Sequence, residues 1–354
     1  MRNTRLEINT EQFIKNIDRI KDYSKDKIIM PVIKANGYGT YINKRVDILD
    51  MFQIVAVALV DEGIAIRKEG YQGEIFVLNQ PAIEEIDLIE EYNLTIGLSS
   101  IEFLDKCSNR NIKVHLEIET GMNRTGIKLN DLESFLNKAL ESSFIIEGVY
   151  THLSSADFDQ DYTNKQIDTF KEAVSYLKNN NIILKYIHIS ASNGILNYKI
   201  DIANTIRPGI IMYGYEPFIG AKKIIPVEPI AKLKTNITYI KNSNINDKIG
   251  YSQKYTCPND MIIATIPIGY ADGYRRSLSN KGYVLVNNVR CKILGNICMD
   301  SCMIDVTDAN AKVGDEVILF DEYNITLDEL SNICETINYE ILCTINERVP
   351  RIFK

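Results

Sequence analysis

Tryptophan is absent from this chain of 354 residues, and histidine occurs only three times. With so few histidines, no HExxH and no paired-cysteine spacing, the sequence carries no zinc signature. No Walker loop and no GxGxxG following a strand is present, so the common nucleotide cradles are missing. Basic residues are outnumbered: the net charge is −7 and the pI about 5.3, which argues against a nucleic-acid partner that would need a basic face. The seven cysteines (107, 257, 291, 298, 302, 334 and 343) are odd in number and scattered, unlike a secreted disulfide framework. A reduced, cytoplasmic setting is the expectation. No apolar run approaches the ~20 residues of a membrane helix, and nothing resembles a signal peptide. What remains is 45% hydrophobic and 25% charged, the composition of an ordinary globular chain with ample apolar surface to bury.

From about 28 to 215, short apolar runs alternate with amphipathic helical stretches. Strands are predicted at 28–33, 53–59, 74–78, 94–98, 112–118, 145–151, 186–189 and 204–207. Helical patterns lie between them at 83–91, 131–141 and 162–179. Eight strands separated by helices predict an α/β architecture, a (β/α)₈ barrel of the TIM type. After about 225 the texture turns strand-rich, with turn signals at Asn242-Ser243, Asn287-Asn288 and Gly314-Asp315, and only 326–335 reads as a helix, capped by Thr326. Two units are expected: 1–225, the barrel, and 226–354, a mostly β domain. The alternating segment 4–9 reads as a strand that joins the second unit, with Thr10 as the N-cap of a helix behind it.

A barrel presents its reactive groups at the C-terminal ends of its strands. There stand Lys34 after the first, Arg124 after the fifth, His152 after the sixth, Ser192 after the seventh and Arg207 closing the eighth. Lys34 follows an apolar run, and low dielectric depresses an ammonium pKa as a Schiff-base lysine requires. A rim lysine snorkelling to water fits the same pattern. The loops after strands seven and eight supply Ser192, Asn193-Gly194, Gly209 and Ile210, small residues that let the backbone approach a phosphate. Two ordinary turns would read alike. Cys298 and Cys302 have the wrong spacing for a redox motif and are expected to pack in the β domain.

These residues carry a resemblance. VIKANGYG is similar to the cofactor-lysine motif of the alanine racemases, barrel-type pyridoxal-phosphate enzymes. The likeness continues through ETGMNRTGI, YTHLSSAD, HISASNG, TIRPGIIMYG, YSQKYT, IPIGYADGY, GNICMDSCMIDVTD and RVPRIF. It implies an amino-acid racemase with pyridoxal 5′-phosphate on Lys34, acting as a homodimer whose sites are shared between subunits. Lys34 would be one acid/base and Tyr251, from the other subunit, the second. Tyr38, Ser192, Gly209 and Ile210 would hold the phosphate, Arg207 the pyridine nitrogen, with His152 beside the ring and His188 behind the arginine. Arg124 would meet the substrate carboxylate, and Tyr270 and Met299 would shape the approach from the partner subunit.

Two departures from the family pattern stand out. Glu117 occupies the position where many alanine racemases carry a carbamylated lysine paired to the arginine matching Arg124, and a carboxylate is expected to take that anionic role. Asn346 and Glu347 stand where many have a tyrosine near the phosphate and the substrate methyl, so both are expected to contact substrate and to favour a hydroxyl, as in serine. Serine racemases linked to vancomycin resistance carry a similar domain after a membrane domain, and the abrupt N-terminus suits such a piece. Two alternatives stay open: a barrel-type pyridoxal-phosphate amino-acid decarboxylase, and a non-catalytic pyridoxal-phosphate carrier.

Overall fold

Residues 2–218 and 223–354 are described here by a computed structural model. Eight parallel strands form the first sheet: Ile28–Ile29, Ile54–Val57, Glu74–Val77, Thr95–Leu98, Lys113–Glu119, Ile145–Tyr150, Tyr186–His188 and Thr205–Ile206. Each pairs with its neighbour in sequence, and the eighth returns to the first through Thr205↔Ile28 and Ile206↔Ile29. Between the first and second the link is a single bridge, Val32↔Ala56, backed by Ile33 N–H to Ala56 O at 2.9 Å, which completes the barrel. Strands such as IVAV at 54–57 are buried along their whole length, as parallel strands covered on both faces must be. This is the expected (β/α)₈ barrel.

A second, nine-stranded sheet is built almost wholly from the C-terminal part. Its one early member is Arg5–Ile8, antiparallel to Ala231–Asn236 and parallel to Arg351–Phe353. The helix behind that strand, Thr10–Ser24, is capped by Asn9 rather than Thr10: the Asn9 carboxamide accepts from Gln12 N at 2.9 Å, because the extended residue is the one before the helix. Thr326 does cap Leu327–Ile333. A further helix follows, Asn338–Cys343, where none is predicted. Among the described residues no helix is long and apolar enough to cross a membrane. All seven cysteines are unpaired, with Cys302 buried in the second unit's core and Cys298 half-buried.

Candidate active site

A cavity of about 450 Å³ opens at the C-terminal mouth of the barrel. Its walls include Lys34, Tyr38, Arg124, His152, Ser192, Arg207 and Gly209, so seven sequence-predicted residues from five strand ends converge there. Ile210 sits fully buried at the start of the next turn. Residues not singled out from sequence complete the wall, notably Tyr150, and Tyr339 with Cys343 from the unanticipated helix Asn338–Cys343.

Lys34 ends the first strand and opens a turn of unusual hand. Ala35, Asn36, Gly37, Tyr38 and Gly39 all have positive φ, between 53° and 77°. Each non-glycine residue held there costs roughly 1–2 kcal/mol, so the surrounding structure must impose the turn. Tyr41 N–H to Asn36 O (2.7 Å) and Gly39 N–H to Ala35 O (2.8 Å) brace it from within. Burial, and next the nearby Arg124 cation, push the Lys34 ammonium below its ordinary pKa, which favours the neutral nucleophilic amine.

Three polar elements define a small cradle at one end of the cavity. A Cβ on Gly209 would lie 2.5 Å from Tyr38 Oη and 3.7 Å from Ser192 Oγ, so only glycine lets these groups meet. Gly209 N–H donates to Ser192 Oγ at 3.2 Å. Among the described residues the buried Asn193 Oδ1 finds no partner. Hydroxyls and an amide without side-chain crowding suit a phosphate, and an amine of depressed pKa across the cavity suits an aldehyde carbon. The residues present therefore fit pyridoxal 5′-phosphate.

Arg207, 2% exposed, organises all three histidines of the chain. Its Nη1 meets His188 Nδ1 at 2.8 Å, and Nη2 donates to Thr151 O at 2.8 Å and approaches His152 Nδ1 at 3.3 Å. His188 Nε2 in turn meets His115 Nδ1 at 2.9 Å. A guanidinium only donates, so His188 Nδ1 must accept and its proton sits on Nε2. That proton goes to His115 Nδ1, leaving the His115 N–H on Nε2, which has no partner. Burial lowers the Arg207 pKa to about 10, still charged at neutral pH. Burial first, then that cation, push His115 and His152 down to about 3 and His188 well below its usual value.

This arrangement predicts acid sensitivity. Each histidine titrates near 6.5 when unfolded but lower when folded, so between about pH 6.5 and 3 the unfolded chain binds the extra protons. Stability should then fall as pH falls, by ~1.4 kcal/mol per unit for each histidine, several kcal/mol per unit for the three together. Glu117, whose pKa burial raises, opposes this with one proton. Urea midpoints of the cofactor-free chain at pH 7.5 and 5.5 check it; a flat profile would refute the neutral triad.

Glu117 is buried on the fifth strand, and its Oε2 lacks a partner. The Thr125 and Tyr150 hydroxyls and, through space, Arg124 counter the rise in its pKa, but no ion pair joins it to Arg124 among the described residues. The remaining predicted residues lie outside this cavity's lining. Tyr251 is 70% exposed and its loop is strained, with Gly250, Ser252 and Gln253 at positive φ; Asn296 Nδ2 holds its carbonyl at 2.9 Å. Tyr270 and Met299, also exposed, are clasped through Tyr270 N–H to Cys298 O and Ala271 N–H to Met299 O. Asn346 and Glu347 are exposed, with Asn346 N–H bonded to Asp272 O beside the Tyr270 loop.

Comparison with known proteins matches residues 8–217 to the alanine racemase N-terminal domain and 230–353 to the alanine racemase C-terminal domain. Alanine racemase 1 of Clostridium acetobutylicum is 35% identical over 98% of this chain and 94% of its own length. Among solved structures, alanine racemase of Clostridium difficile superposes with a TM-score of 0.93 at 32% identity, covering 99% of this chain and 95% of that one. Alanine racemase of Bacillus anthracis with bound L-Ala-P gives 0.94, also at 32% identity, covering 100% and 95%.

Proposed function

The chain belongs to the alanine racemase family, and from that premise we propose that it interconverts L- and D-alanine by two opposed acid/bases, Lys34 and Tyr251 of a second copy. The family's cofactor is pyridoxal 5′-phosphate, which when bound supplies an electron sink for the α-carbon. Lys34 would carry the cofactor and exchange a proton on one face. Tyr38, Ser192, Gly209 and Ile210 would hold its phosphate. Arg207, a permanent donor fixed by His188, would hold the pyridine end and disfavour a proton there. Arg124 receives the substrate carboxylate.

The observation that carries this reading is the split of the candidate residues. One group converges on the cavity, while Tyr251, Tyr270 and Met299 face outward from residues 226–354. A head-to-tail homodimer, with the 226–354 unit of one subunit over the 1–225 barrel of the other, reunites them. The D-amino acid would supply peptidoglycan precursors. Serine is a second reading, favoured by Asn346 and Glu347, which stand exposed beside the Tyr270 loop on the unit that the homodimer would bring over the partner's cavity, where a substrate hydroxyl would bond to them. α-Proton exchange in heavy water, followed by NMR on L-alanine and L-serine separately, tests both. Exchange with formation of the D-enantiomer is expected, faster with alanine; exchange confined to serine would reverse the preference. No exchange with either, in protein loaded with cofactor, would point to another substrate, the decarboxylase alternative included, or to the non-catalytic carrier.

A further inference from the structure

The left-handed turn at 35–39 needs an external hold at its head, and the structure supplies one. The first amide after Lys34, Ala35 N–H, donates to Glu62 Oε1 at 2.6 Å. The other carboxylate oxygen accepts from Ala58 N–H at 2.8 Å and Leu59 N–H at 3.2 Å. Ala58 and Leu59 follow the second barrel strand, and Glu62 lies in the first turn of the helix Val60–Lys68. One half-buried carboxylate thus ties the ends of two strands together where the barrel sheet is joined by only a single bridge.

We propose that Glu62 is a positioning residue for Lys34, fixing through the Ala35 amide the turn that aims the amine. The proposal rests on the reading of Lys34 as the cofactor lysine. Around the amine, Arg124 from the fifth strand's loop and Arg207 from the eighth oppose its charge, while Glu62 and the Cys343 thiol favour it. His152, Tyr38, Tyr339 and Glu340 line the same cavity. Glutamine at 62 matches the shape but fails chemically. Its NH₂ must point either at the Ala35 N–H or at the Ala58 and Leu59 N–H groups, so one end of the tie is lost along with the charge.

The test follows the pH dependence of Schiff-base capture, read as the yellow absorbance that develops when cofactor-free protein is mixed with pyridoxal 5′-phosphate. The attacking amine must be neutral, and removing an anion beside an ammonium lowers its pKa. Glu62→Gln is therefore expected to move the capture midpoint to lower pH by about half a unit to one unit. It should also cut kcat roughly 10- to 100-fold with little change in KM. Glu62→Asp keeps the charge but is one methylene short, so its midpoint should stay near the parent while kcat remains reduced. If Glu62→Gln keeps the parent midpoint and kcat and loses only thermal stability, Glu62 is a helix cap and the proposal falls. Should Glu62→Gln fail to fold, a parent kcat in Glu62→Asp, whose shortened carboxylate cannot hold both ends of the tie, would overturn the positioning role. If Lys34→Ala still develops the absorbance, the assignment of Lys34 is what fails.

Discussion

Lys34→Ala is expected to lose racemisation by at least about 10⁴-fold, because one substitution removes both the covalent anchor and one of two acid/bases, each worth 10² or more. The loss should fall on kcat. The proposed phosphate cradle of Tyr38, Ser192 and Gly209 does not involve the lysine side chain, so the variant should still bind pyridoxal 5′-phosphate, more weakly and without the Schiff-base absorbance. Burial and Arg124 lower the pKa of the native amine, so at any given pH a larger share of it is neutral than of a solvated lysine. For the same reason a small amine such as methylamine, added to the variant, should restore part of the rate with a dependence on its free-base concentration. Chiral chromatography of the products measures all of this. A variant that kept a hundredth of the parent rate would remove Lys34 from the chemistry.

The barrel was legible because parallel strands covered on both faces appear as unbroken apolar runs, as in IVAV and EIFV, and all eight predicted positions hold a strand. Lys34, Arg124, His152, Ser192 and Arg207 were legible for a related reason: a polar residue directly after such a run must lie at the barrel mouth. The helix Asn338–Cys343 was not. It is six residues long and lacks a side-chain cap, so neither periodicity nor an N-terminal signal marks it, yet it supplies Tyr339 and Cys343 to the cavity. His115 did leave a signal: it lies two residues before Glu117 on one strand and so shares its inward face. Nothing local could reveal that it ends a chain through His188 to Arg207, since those partners come from strands far away in sequence. The left-handed turn was hidden too, because Ala35 and Tyr38 adopt positive φ against their own preference, under the hold of Glu62 and the bonds around Asn36.

Tyr251→Phe should cost 10²- to 10⁴-fold in racemisation in both directions, since inversion needs a proton delivered from the face opposite Lys34. Lys34 should still remove and return the proton on its own face. One enantiomer of alanine should therefore exchange its α-proton in heavy water without inverting, while the other does not. The phenol is exposed and lies outside its own chain's cavity lining, as the proposed head-to-tail homodimer requires. That gives a sharper expectation. Lys34→Ala and Tyr251→Phe are each nearly inactive, but a mixed dimer contains one site with a native lysine from one chain and a native tyrosine from the other. Random reassortment makes half the dimers mixed, so dissociating and re-forming an equimolar mixture should return about a quarter of the parent activity. Recovery on mixing cannot arise if both groups act within one chain. No recovery, with mixed dimers demonstrated by mass, would place the second proton donor elsewhere, and Tyr270 would be the next phenol to replace.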